Sequence, residues 1–377
     1  MKINREDSDT YKYVKAPSDF DEEDAEAFYS SFEKLTRKMA LSENFLEMHE
    51  RIAKANEIYY MILGIIGVPV NLVAIVILSK GKCGLSTAIT RFLMAMSTAD
   101  LLVVITEVIL RQINNYYLPL SFLDITPVCS VVYVLSVAAT SCSVWFTVTF
   151  TFDRFIAICC QKLKTKYCTE RNAAIVLATT CILFCLLHVP FYFRYKSYAI
   201  VDNIPWLCIS KSSYYTESLW KGFRWFHTVL TPFFAFILIL LFNTLTVRHI
   251  LMTSQVRKAL RGQSKGENRR DPEMESRRKS VILLFAISGN FLLLWLIYVI
   301  NFISNIIPRS DSKADNHSSI LFQQVGVMLV NASCCTNTFI YGMTQSKFRE
   351  QLKAALRYPR DKSRWGGQRC KPCASCS

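Results

Sequence analysis

Asp153 and Arg154 stand side by side at one end of an apolar run, Val128 to Phe152, that carries no charged side chain. A charged pair at the mouth of such a run is expensive to place and needs a reason. Asp100 sits inside a second apolar run, where a carboxylate is costly unless water, a cation or amides solvate it. Glu107 and Arg111 lie at i and i+4, so they share one helix face. Two readings of that pair are open. One is a mutual ion pair or snorkelling to the interface; the other is a clamp for a zwitterion, with Arg111 taking a carboxylate and Glu107 an ammonium. All of this chemistry exchanges charge partners and makes no bonds, so no catalytic residue is expected.

The elements that must position these residues are long apolar helices. The chain has 377 residues, 51% of them hydrophobic, and the clustering of those residues decides the class. Runs of roughly 18 or more apolar residues give seven spans, at 58–79, 88–110, 128–158, 173–193, 223–250, 281–305 and 320–343. At ~1.5 Å per residue the third exceeds a ~30 Å hydrocarbon layer. The second, fifth and seventh are weaker because they carry Asp100, Glu107, Arg224, His249 and several amides. The expected fold is an all-α membrane protein. It comprises a seven-transmembrane helix bundle over 58–343 and a short amphipathic eighth helix over 344–358. No internal repeat is visible, against the duplicated halves of transporters.

The formal charge of +15 could suggest nucleic acid, but its placement does not. Basic residues crowd the segments after spans 1, 3, 5 and 7: Lys80 and Lys82, Lys162 to Arg171, Arg257 to Lys279, and Lys347 to Lys371. The positive-inside rule then puts residues 1–57 outside the plasma membrane and the tail, 359–377, in the cytosol. The partners implied are a lipid bilayer and not nucleic acid. No apolar signal segment opens the chain, so span 1 acts as its own insertion signal. Residues 1–57 are expected to be a largely disordered acidic tail, the alternative being a weak amphipathic helix over Glu26–Glu57.

Of fourteen cysteines, most lie in spans and act as small apolar residues. Cys129 and Cys208 are the two plainly extracellular ones and should pair, tying the loop after span 4 over the bundle mouth. Cys370, Cys373 and Cys376 have no fourth ligand nearby for zinc; they are either acylated or unmodified thiols. Asn316-His-Ser318 is a possible glycosylation sequon. Asn331-Ala-Ser333 lies inside a span and should stay unmodified.

Over residues 55–358 the chain resembles the class A (rhodopsin-like) G-protein-coupled receptors. Gly67-Val-Pro-Val-Asn71 looks like the family's Gly-x-x-x-Asn, and Ser97-Thr-Ala-Asp100-Leu like its span-2 aspartate motif. Asp153-Arg154-Phe155 stands for Asp-Arg-Tyr, with Cys129 at the family's interval before it. Phe291-x-x-x-Trp295 matches span 6, Asn337-Thr-Phe-Ile-Tyr341 resembles Asn-Pro-x-x-Tyr, and Phe348 opens the eighth helix.

The resemblance implies specific roles. Asp100, with Asn71, Ser143 and Asn337 converging on it, would form a polar pocket that holds sodium at rest; a hydrated aspartate without an ion is the alternative. Arg154 would be held by Asp153 and released to meet a heterotrimeric G protein, with Phe291, Trp295 and Tyr341 moving during activation. Leu163, Arg257, Lys258, Arg277, Arg278 and Lys279 would meet the G protein, or else anchor anionic lipid. The ligand pocket would draw on Glu107, Arg111, Tyr133, Ser136, Trp225, His227, Tyr298, Asn301, Phe302, Gln324 and Asn331. No cofactor is implied beyond that sodium ion.

Departures from the pattern carry information. Ile297 and Thr338 replace prolines, span 4 lacks a tryptophan near Ala178, and Leu240 replaces a span-5 tyrosine whose role Asn243 can share. Arg277 stands where many members carry an acid, so no salt bridge from there to Arg154 is possible. A weakened resting state is the expected result. Ser136 weakens an amine ligand and Asn331 excludes a retinal Schiff base, leaving amino acids, peptides, lipids and odorants. The stretch 152–168 and Asn337–Gly342 look most like an orphan branch near brain receptors for aromatic amino acids and related peptides. The rival readings are a channel or transporter, a chemosensory receptor and an inactive decoy.

Overall fold

Backbone amides in hydrocarbon find no water, so apolar runs of this length satisfy their hydrogen bonds internally as helices. The computed structural model describes the backbone of residues 22–81, 83–261, 272–306 and 315–365. It describes side chains over 50–81, 83–255, 278–304, 321–355 and at 357. Six helices are long and apolar enough to cross a membrane: Glu50–Ser79, Thr87–Tyr117, Thr126–Cys159, Glu170–Arg194, Ser218–Gln255 and Arg278–Ser304, here spans 1 to 6. Span 7 is the helix Asp315–Thr344. It falls outside that group because Asn331, Asn337 and several hydroxyls interrupt its apolar run.

Local chemistry explains the boundaries. Ser86 and Thr169 cap spans 2 and 4, accepting from the backbone N–H of Ile89 at 3.4 Å and Asn172 at 3.3 Å. Gly81 and Gly84 take φ of +65° and +66° in the turn between spans 1 and 2. Pro232 lies in a widened, π-helical turn, Val229–Phe234, and a second such turn occupies Val104–Ile113. Span 6 belongs to an uninterrupted helix, Pro272–Ile306, in keeping with Ile297 standing where a proline would kink it.

Lipid tails are as apolar as leucine, so packing and hydrogen bonds rather than water exclusion hold the spans together. Gly67 lets span 1 approach its neighbours: a Cβ there would lie 2.8 Å from both Cys335 Sγ and Val104 Cγ2. One buried cluster joins Ile77, Leu93, Met96, Phe150, Tyr341 and Phe348. A second packs Val148, Ile239, Phe291 and Trp295. Trp145 of span 3 stacks on Phe184 at 5.5 Å, supplying an indole to span 4 from the neighbouring helix.

Two expectations change and one element is added. The chain divides into units 1–59 and 60–377, and within the first the backbone is helical from Glu22 rather than a disordered tail. The expected helix bundle stands, and the loop after span 4 adds one hairpin to it: strands β1, Tyr195–Val201, and β2, Ile204–Ser210, pair antiparallel with Ser197 opposite Cys208. Asp202 and Asn203, at φ +52° and +61°, make its two-residue turn. The eighth helix runs longer than expected, Ser346–Trp365, with Phe348 buried against Tyr341 at 6.1 Å. Cys370, Cys373 and Cys376 lie outside the described residues, as do the side chains of Arg257, Lys258, Arg277 and Asn316.

Candidate functional site

At one end of the bundle Cys129 and Cys208 form a disulfide between span 3 and β2. Thr126 Oγ1 also donates to Pro205 O at 3.2 Å, fixing the hairpin to the start of span 3. Beneath it lies a cavity of about 370 Å³ lined by Glu107, Arg111, Tyr133, Ser136, His227, Trp295, Tyr298 and Asn331. Seven of these eight were expected to bind ligand; Trp295 forms the floor.

Glu107 and Arg111 are bonded to each other. Glu107 also accepts from Ser136 Oγ at 2.6 Å and Gln112 Nε2 at 3.0 Å, while the Arg111 guanidinium stacks on Tyr133 at 4.9 Å. The clamp is therefore closed on itself. Asn301, Phe302 and Trp225 line a neighbouring cavity of about 370 Å³ instead, and Gln324 lines neither. Asn331 Nδ2 donates to Tyr60 Oη at 3.3 Å.

The sequence reading passed over several residues here. Arg194 stacks on Tyr133, Tyr195 and Tyr214 at 4.7, 5.1 and 4.5 Å, donates from Nε to Ser210 Oγ at 3.2 Å, and bonds Tyr133 Oη. Arg224 stacks on Tyr214 and Tyr215 at 5.0 and 5.4 Å and lines both cavities. Burial pushes the Tyr214 phenol up despite both guanidiniums, whereas a hydrogen bond with Ser210 draws Tyr215 down. His188 of span 4 bonds Ser141 Oγ at 3.2 Å and meets the His227 ring edge-on at 5.0 Å. A basic residue in a weak span was the available signal; Tyr195, Tyr214 and Tyr215 sat in a loop read only for its cysteine.

Below Trp295 the polar core forms around Asp100. Ser143 Oγ donates to Asp100 Oδ1 and Asn337 Nδ2 donates to Oδ2 at 2.8 Å. Asn71 does not join them: its Nδ2 donates to Gly67 O at 3.0 Å and Cys334 O at 2.8 Å. The adjoining cavity, about 20 Å³, is lined by Ser143, Asn290, Ser333, Asn337 and Trp295. That admits one water-sized body. Its hydroxyl and amide oxygens, beside a buried carboxylate, are the hard donors that a small cation accepts. Asn243 Nδ2 bonds Ser288 Oγ and Asn290 Nδ2 bonds Thr336 Oγ1, both at 2.8 Å, tying span 6 to spans 5 and 7.

At the far end Arg154 and Asp153, 5% and 8% exposed, form a two-bonded ion pair, with Nε to Oδ2 at 2.9 Å. Arg154 Nη1 also donates to Ser280 Oγ of span 6 at 3.3 Å. Phe155 stacks on Phe242 at 5.7 Å. Cys168 Sγ donates to Asp153 O at 3.4 Å, and burial pushes that thiol up to about 12. Leu163, Arg278 and Lys279 are exposed nearby in sequence to this end.

A closed polar core between a disulfide-stapled cavity and a buried Asp-Arg pair defines a seven-helix membrane receptor. The family model "7 transmembrane receptor (rhodopsin family)" matches residues 70–341, and the chain belongs to that family. It is thus a multi-pass G-protein-coupled receptor and not an enzyme, answering to an extracellular ligand and acting on a heterotrimeric G protein. The channel or transporter reading falls.

Proposed function

We propose that this receptor sits in the plasma membrane with its disulfide end outside and detects an amino acid or short peptide, as in the orphan branch it resembles. The cavity ringed by Glu107, Tyr133, Tyr298 and Asn331 carries this reading, since its size and mixed aromatic and amide lining suit a compact polar ligand. Glu107 is the only carboxylate among the described lining residues and takes the ligand's ammonium, exchanging one of its three present donors. A resident sodium ion is held at Asp100, Ser143 and Asn337, where it neutralises the buried carboxylate. Ligand binding tilts Trp295, loosens that core, and frees Arg154 from Asp153 and Ser280 to meet the G protein beside Leu163, Arg278 and Lys279.

The test is a screen of amino acids and short peptides against G-protein dissociation in cells. A saturable response that Glu107→Gln shifts to higher concentration is expected. Silence across the panel, with the receptor present at the surface, sinks the ligand class.

A further inference from the structure

Arg224 and His227 stand three residues apart on span 5, on one helix face, and both line the 370 Å³ cavity. Arg224 Nε and His227 Nε2 are buried and make no hydrogen bond. A buried donor without a partner is costly, so two such donors on neighbouring residues of one cavity wall favour an acceptor arriving there. Charge points the same way. Arg224 and Arg194 stack on the same Tyr214 ring, and no carboxylate among the described residues bonds or pairs with either. Glu107 is committed to Arg111, Gln112 and Ser136.

We propose that Arg224 and His227 form the carboxylate subsite of this receptor, with the ligand's apolar body lying toward Pro232 and Trp295. Arg224 donates from its guanidinium edge and His227 from Nε2, while the phenols of Tyr214 and Tyr215 hold the guanidinium plane in place. The proposal rests on the amino-acid or peptide reading above and sharpens it: the acid end meets span 5, not Arg111. Arg111 serves to hold Glu107.

The experiment uses full-length receptor in lipid nanodiscs at pH 7 and two matched probe pairs. These are 3-phenylpropionate with 3-phenylpropionamide, and glycylphenylalanine with its C-terminal amide, each at millimolar concentration. Thermal unfolding is the readout. The expected result is a rise in Tm with at least one acid and none with its amide. The free acid acting alone assigns a small organic acid, and the dipeptide acting alone assigns a peptide terminus. Arg224→Gln should weaken the acid at least about tenfold, as expected for loss of a charge-assisted bond, and Arg224→Lys should retain part of the effect. A normal Tm without probe certifies that each variant is folded. Equal shifts from acid and amide, no shift from either acid, or an unchanged shift in Arg224→Gln would overturn the subsite. Activation in cells by amidated peptides alone would leave the receptor reading standing and remove only the carboxylate.

Discussion

Arg154 Nη1 lies 3.3 Å from Ser280 Oγ, so this arginine is joined to span 6 by a hydroxyl and not by an acid. Arg277, three residues earlier, bears the wrong charge for that task. A bond between a guanidinium and a neutral hydroxyl is worth less than a buried ion pair, and it is the one tie from Arg154 to span 6 among the described residues. On the proposed reading, Asp153 within the same helix is then the main hold on Arg154 at rest.

Ser280→Ala should therefore raise ligand-independent signalling. Losing about 0.5–1.5 kcal/mol shifts the resting equilibrium roughly two- to tenfold. Ser280→Asp, which restores an acid opposite Arg154, should lower it below the parent. G-protein activation without ligand, at matched surface density, measures both; equal signals in all three receptors would show that the contact holds nothing.

Asp100→Asn should abolish any dependence of thermal stability on sodium. The parent is expected to melt higher in sodium chloride than in choline chloride at equal ionic strength, because only the small cation fits beside Ser143 and Asn337. Identical melting of the parent in the two salts would remove the ion from the polar core.

Gly67→Ala should destabilise the bundle by about 1–3 kcal/mol, the usual cost of overpacking, because the added methyl meets Cys335 and Val104. Gly222→Ala, with open space around it, is the control and should leave Tm unchanged apart from a small helix-propensity gain. Melting curves that coincide for both variants would contradict the close approach of span 1.

Cys168 should resist alkylation. With its thiol pushed up to about 12, the thiolate fraction at pH 8 falls roughly three powers of ten below that of an ordinary cysteine. The fraction should rise as pH climbs toward that value, so labelling followed by mass spectrometry should show a rate still increasing at pH 10. Rapid modification at pH 7 would mean that Cys168 is not held against Asp153.

Charges inside apolar runs made much of this legible beforehand. Asp100, Glu107, Arg111 and the Asp153–Arg154 pair stand out because hydrocarbon makes each one costly, and Asp100 meets Ser143 and Asn337, Glu107 meets Arg111, and Asp153 meets Arg154. Asn71 went elsewhere because Gly67 draws span 1 so near span 7 that the Cys334 carbonyl comes within reach of its amide. Ser280 had no signal, since one hydroxyl in a basic helix looks like any other. The hairpin did have one: Asp202-Asn203 between Ile200-Val201 and Ile204 is a two-residue turn flanked by strand formers. It was hidden by reading the loop only for its cysteine.

Trp295 borders both the large cavity and the small one at Asp100. A single indole is thus ceiling to one chamber and floor to the other, so a movement of that ring alters both. A ligand that shifts this ring on entering the upper room alters the hold on an occupant of the lower, and by the same factor in each direction, since linkage between two binding events is reciprocal. The partition works as a balance beam with one pivot, and its set point belongs to the ring's packing against Phe291 and Val330.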